Sequence, residues 1–186
     1  MISTNEFRTG LTIELDGQLY KIVNYDHVKP GKGGAFLQTK LKNIETGQTT
    51  NKRFRAGEKV NKAHIESRTY QFLYKGGKDY TFMDKENYEQ ITLNQEEIGD
   101  AAKFIKENSD IEIQLYQGNP IGVDVPVFVE LAVTDAPPAV AGNTVSGASK
   151  TVTLETGTEV SVPLFIEEGD ILKVDTRTGE YIERVN

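Results

Sequence analysis

What most constrains this chain is its punctuation: short runs that alternate apolar and polar residues, each closed by a glycine-containing turn signal. Leu11-Thr12-Ile13-Glu14-Leu15 alternates, Asp16-Gly17 intervenes, and Gln18-Leu19-Tyr20-Lys21-Ile22-Val23 resumes the pattern. A two-residue hairpin turn needs positive φ at both central residues, and Asp-Gly supplies it. Residues 35–41 read as another strand, with Thr46-Gly47 as the turn that follows. Residues 69–74 and 78–83 flank Gly76-Gly77, residues 111–116 run into Gly118-Asn119, and residues 181–185 follow Thr178-Gly179. Strands this short predict an all-β chain of small barrels, which remove exposed sheet edges by closing on themselves.

One helix interrupts the pattern. The spacing predicts it from Gln95 to about Glu107, with Asn94 as N-cap and Glu97 completing a capping box. Ile98, Ala101, Ala102 and Ile105 then share a face. Residues 135–149 are rich in Pro, Gly, Ser and Thr and read as a loop, followed by a strand with Val160, Val162, Leu164 and Ile166 on one side. The economical division is three β modules: residues 1–64, 65–128 and 129–186. Hydrophobic residues make up 37% of the chain, which suits several small cores better than one large one.

Net charge is −7, unevenly spread. Residues 1–64 hold eleven Lys and Arg against six Asp and Glu, a net of +5, whereas each of the other two modules carries −6. A basic module on an acidic body points to a polyanionic partner for that module. There are no cysteines, which excludes disulfides and thiolate metal sites. No apolar run approaches the roughly 20 residues of a membrane span, and MISTNEFRTG lacks the features of a signal peptide. The expectation is a soluble cytoplasmic protein.

The stretch Val28-Lys29-Pro30-Gly31-Lys32-Gly33-Gly34-Ala35-Phe36 is the feature that asks for a function. A phosphate-binding P-loop would need Gly where Asp26 stands and a hydroxyl residue where Gly33 stands, followed by a helix; AFLQTKL is strand-like instead. Catalytic alternatives are thin. His27 and His64 are far apart and read as structural or surface residues, no nucleophile-elbow motif is present, and nothing singles out a working pair of carboxylates. The chain is therefore expected to be no enzyme and to need no cofactor or metal. As an arm the stretch makes sense. Pro30 stiffens it, Gly31, Gly33 and Gly34 thin it, and Lys32 alone projects from the tip as a flexible amine, itself a common target of covalent modification. Lys29, Lys40, Lys42, Lys52, Arg53 and Arg55 surround it as candidate contacts to backbone phosphates.

The residues His27–Gly33 resemble the apical loop of bacterial translation elongation factor P. The resemblance continues through Asn5-Glu6-Phe7-Arg8-Thr9-Gly10, residues 142–150, Leu154-Glu155-Thr156-Gly157, Val162-Pro163-Leu164-Phe165 and residues 174–181. It spans the chain in order; Asn143 departs from the Asp that many members carry. It implies an SH3-like KOW-type domain followed by two OB-fold barrels, in an L-shaped arrangement. It also implies a monomer bound to the ribosome between the peptidyl and exit sites, beside peptidyl-tRNA. Lys32 would stabilise the CCA end and relieve stalling at consecutive prolines, and an enzyme that extends its amine would be a further partner. In the third domain, Gly142, Asn143, Thr144 and Gly147 would approach the exit-site codon, and Arg177, Tyr181 and Arg184 the small subunit. The main alternative is an RNA-binding protein of SH3-like and OB modules acting away from the ribosome.

Overall fold

A computed structural model of the chain describes residues 1–138 and 148–185. The chain is mostly β, in three sheets, each built from strands consecutive in sequence. The first contains β1 (Ile2–Ser3), β2 (Thr12–Leu15), β3 (Gln18–Val28), β4 (Phe36–Asn43), β5 (Thr49–Arg55) and β6 (Lys59–Lys62), in the spatial order β1-β6-β2-β3-β4-β5. The expected turn is there: Asp16 and Gly17 have φ of 52° and 77°, and Leu15 lies opposite Gln18. Alternation carries Ile13, Ile22, Leu37, Leu41 and Phe54 inward, and Phe7 meets Phe54 edge-on at 5.3 Å between centroids.

β3 runs five residues past the Val23 at which the alternation stops, on to Val28. A register shift between Ile22 and Asn24 marks a bulge, beyond which the strand continues paired to β4, with Tyr25 partly buried against the core. Asn24, Asp26 and His27 are exposed there.

The second sheet comprises β7 (Ile65–Gly76), β8 (Asp79–Asp84), β9 (Gln90–Asn94), β10 (Asp110–Tyr116) and β11 (Asn119–Asp124), ordered β11-β10-β7-β8-β9. Phe72 packs against Phe82 at 5.4 Å and Tyr80 at 5.5 Å. Two turns sit one residue away from where the sequence suggests. The positive-φ positions are Gly77 in one and Gln117-Gly118 in the other, so Gly76 ends a strand and Asn119 begins one.

The helix is much shorter than its apolar spacing predicts. Asn94 does cap it, accepting from the Glu96 and Glu97 amides at 2.9 and 3.0 Å, and Glu97 returns to the Asn94 amide at 2.7 Å. Yet α1 spans only Gln95–Ile98, because Gly99 turns to φ 66° and the chain continues as a 3₁₀ turn over Gly99–Lys103. Ile98, Ala102 and Ile105 are buried as expected, Ala101 only partly, and Phe104 is buried as well.

The third sheet comprises β12 (Phe128–Asp135), β13 (Ser149–Leu154), β14 (Glu159–Pro163), β15 (Ile171–Asp175) and β16 (Glu180–Arg184), ordered β14-β13-β12-β15-β16. Phe104 joins its core with Leu131, Leu154, Val160, Val162, Ile166 and Leu172. β14 ends at Pro163, so Val160 and Val162 face inward from the strand. Leu164 is only partly buried, and Ile166 is buried from the turn that follows. The chain divides into two compact units, Met1–Ser67 with Gln114–Gly122, and Arg68–Ile113 with Val123–Asn186. Among the described residues no helix is long and apolar enough to cross a membrane, and no cluster of His, Cys, Asp or Glu is arranged to hold a metal.

Candidate nucleic-acid interface

The VKPGKGGAF stretch closes the β3–β4 hairpin, whose last pair is Val28 opposite Phe36. Lys29, Pro30, Gly31, Lys32, Gly33 and Gly34 are all exposed. Only Gly33 uses a left-handed backbone, at φ 111°, and a Cβ there would stand 3.9 Å from the Pro30 ring. Gly31 and Gly34 have open space around them and no conformational need for glycine, so their contribution is slenderness. The element after the loop is strand β4, which leaves no helix N-terminus to cradle phosphates.

Register sorts the surrounding cations. In β4 the side chains of Leu37, Thr39 and Leu41 are buried, so Phe36, Gln38, Lys40 and Lys42 face out. Arg55 lies opposite Phe36, Arg53 opposite Gln38 and Asn51 opposite Lys40, which places Arg53 and Arg55 on the same outer face as Lys40 and Lys42. The Arg53 guanidinium lies 4.9 Å from the Phe36 ring centre, and its Nε donates to Gln38 Oε1 at 2.9 Å. Lys52 lies opposite buried Thr39 and belongs to the other face; its Nζ lies 5.7 Å from the Phe54 ring centre. The structure thus gathers four of the five strand cations and separates the fifth. Sequence reasoning passed over Lys21, which is opposite Lys42 across the ladder and so joins the same face. His27 makes an edge contact with Tyr25 at 5.8 Å. Asp26, opposite Gln38, is an acidic residue within this basic face.

In the third sheet, Arg177 is committed to Asp175. Its Nη2 and Nε donate to the carboxylate at 2.6 and 3.1 Å, and its backbone amide donates at 2.8 Å. These bonds, the guanidinium first, pull the Asp175 carboxyl down to about 2. Arg184 lies 3.4 Å from Asp170 and 5.4 Å from the Phe165 ring centre, and Tyr181 is partly buried against the core. Gly142, Asn143, Thr144 and Gly147 lie outside the described residues.

Three family models match the chain end to end: the elongation factor P KOW-like domain over residues 3–60, the elongation factor P OB domain over 65–123, and the elongation factor P C-terminal domain over 129–184. Elongation factor P of Pelotomaculum thermopropionicum is 55% identical over 185 residues, covering all of both chains. That of Natranaerobius thermophilus is 56% identical over 185 residues, covering all of this chain and 98% of the relative.

The chain belongs to the elongation factor P family.

It is by family a translation elongation factor, and the basic hairpin falls within the KOW-like domain of that family. Among solved structures, translation initiation factor 5A from Methanococcus jannaschii shares the fold, with a TM-score of 0.56 at 23% identity over 64% of this chain and 88% of its own. A translation initiation factor 5A family protein from Naegleria fowleri gives 0.51 at 15%, over 67% of this chain and 94% of its own.

Proposed function

We propose that this elongation factor binds the ribosome between the peptidyl and exit sites, beside peptidyl-tRNA, and speeds peptide bond formation where consecutive prolines slow it. The observation that carries the reading is the β3–β4 hairpin: a thin, exposed, glycine-bounded tip with Lys32 at its apex on a face lined by Lys40, Lys42, Arg53 and Arg55. The outer-face cations hold RNA phosphates and set the depth of the arm; Lys52, on the other face, is left out of that set. Lys29, Pro30, Gly31, Gly33 and Gly34 shape the tip, and Lys32 reaches the CCA end.

Lys32 works by position and charge. Proline is a constrained participant in peptide transfer, and holding the reacting ends in near-attack geometry lowers the barrier with no proton passing through the factor. An exposed primary amine at the apex also suits enzymatic extension, which lengthens the reach of the arm. In the third domain, residues 142–147 meet the exit-site codon, and Arg177, Tyr181 and Arg184 the small subunit. Modules at 1–64, 65–128 and 129–186 divide these tasks in a cytoplasmic monomer.

The test is a reconstituted translation reaction reporting synthesis through three consecutive prolines. Lys32→Ala abolishes the stimulation, and Lys32→Arg keeps the charge but removes the extendable primary amine. Full stimulation by Lys32→Ala overturns the proposal. If arginine retains activity, charge suffices; if it fails like alanine, the extended amine is the working group.

A further inference from the structure

A cleft of about 660 Å³ opens on the first unit, at the end of the β3–β4 ladder away from the loop. Four segments converge on it: the turn bearing Arg8, β3 with Lys21, β4 with Lys42, and the end of β6 with Lys62, joined by His64. The Gly10 amide donates to the Ile22 carbonyl at 2.8 Å and ties the Arg8 turn to β3. No Asp or Glu lines the cleft. Lys21 and Lys42 face each other directly across the ladder, an arrangement that like charges disfavour. Among the described residues, Arg8, Lys21, Lys42 and Lys62 have no carboxylate within ion-pair distance. A concave surface that concentrates four cations without an internal counter-charge is organised for an anion that comes from outside.

We infer that the Arg8–Lys21–Lys42–Lys62 cleft is a second RNA-backbone site, holding phosphates of the same polyanion that the hairpin follows. This rests on the reading that the first module meets RNA. Continuity decides for a strand over a small anion. From Lys42 the outer face runs through Lys40 and Arg53 to Arg55, opposite Phe36. At about 3.4 Å per residue, the stretch of β4 between Lys42 and Phe36 spans roughly 20 Å. A free phosphate would occupy one end of this stripe; a phosphodiester chain occupies its length. Arg8 and Lys62 therefore act as anchors at the base of the arm, where they fix its angle of approach.

The experiment compares the full chain with Lys21→Gln/Lys62→Gln, with the charge-preserving Lys21→Arg/Lys62→Arg, and with Lys85→Gln, whose lysine is ion-paired to Asp110 in the other unit. Affinity for ribosomes and for a 12-base-pair RNA hairpin is measured from about 50 to 300 mM salt, with folding checked by thermal melting. The proposal expects the Gln pair to lose roughly tenfold or more in affinity at low salt, and its log–log salt slope to flatten by about 1.5–2. The Arg pair and Lys85→Gln should keep both. Unchanged slope and affinity in a folded Gln pair overturn the cleft while leaving the ribosome reading intact. Failure of the unaltered chain to bind ribosomes overturns that reading instead, and the hairpin probe still decides the cleft. Saturable inorganic phosphate binding that Lys21→Gln/Lys62→Gln removes, with RNA affinity unaffected, reassigns the cleft to a free anion and overturns the inference.

Discussion

In the third sheet, Lys173, Arg177 and Arg184 each lie beside a carboxylate, at 3.0 Å from Glu183, 2.6 Å from Asp175 and 3.4 Å from Asp170. In the first sheet, Lys21, Lys32, Lys40 and Lys42 lie beside none among the described residues. The residue types are the same, but their surroundings differ. Lys173, Arg177 and Arg184 are neutralised locally, and Arg177 also closes the turn after Asp175. Lys21, Lys32, Lys40 and Lys42 in the first module have no such local counter-charge among the described residues, so their field is not cancelled by a neighbouring carboxylate. Net charge per module shows the imbalance; the pairing shows which cations are available.

Substitutions that separate the two regions make the contrast breakable. The largest effect belongs to Lys32→Ala, which should cost two orders of magnitude or more in proline-dependent peptide synthesis while leaving stability within about 0.5 kcal/mol, as for other exposed sites without partners. A melting shift of several degrees would show that the tip does hold structure. Gly33→Ala comes next. A side chain at φ 111° is strained, so the tip must change shape, and activity should fall about tenfold, whereas Gly34→Ala should stay within twofold. Equal effects at the two positions would remove the special role of Gly33.

The third sheet supplies the opposite test. Asp175 titrates lower folded, at about 2, than its ordinary value of 3.8, so its contribution to stability is present above pH 4 and is lost as pH falls towards 2. Asp175→Asn should flatten the acid limb of an unfolding titration over that window. Charge-neutral substitutions at Lys40 or Lys42 should leave it unchanged. The smallest effect expected is at Thr39, whose hydroxyl is buried in the hairpin without a hydrogen-bond partner. Thr39→Val should be neutral or stabilising by roughly 1 kcal/mol in denaturant melts. A clear loss would mean that the hydroxyl is satisfied after all.

Strand existence and the all-β class were legible because alternation and X-Gly turns are local signals. Asp16-Gly17 was legible to the residue. Where glycines doubled or stood beside polar residues, as at Gly76-Gly77 and Gly118-Asn119, the pattern named the turn but not its register, since either neighbour can take positive φ. The helix was overextended because apolar spacing at Ile98, Ala102 and Ile105 survives a break that Gly99 imposes on the backbone. The far half of β3 was missed because Asn24, Asp26 and His27 are polar and exposed, so that Tyr25 alone carries little alternation there. At the site, the contiguous loop could be read directly. The grouping of Arg8, Lys21, Lys42 and Lys62 could not, because it arises from four separate segments whose meeting depends on sheet order. Lys52 looked like a member of the basic face until the register put it opposite Thr39.

Phe104 carries a consequence for how such a chain can evolve. It comes from the segment after Gly99, yet it is buried in the core of the third sheet, and the Thr156 and Thr158 hydroxyls donate to the Lys103 carbonyl beside it, at 2.7 and 2.8 Å. Recombination that exchanged everything after residue 128 would bring in a new sheet but leave the old plug behind. Exchangeable heredity here includes residues 99–105 with the last sheet, so successful shuffling of this lineage must either carry that short segment along or find a partner with an aromatic already waiting in the same place.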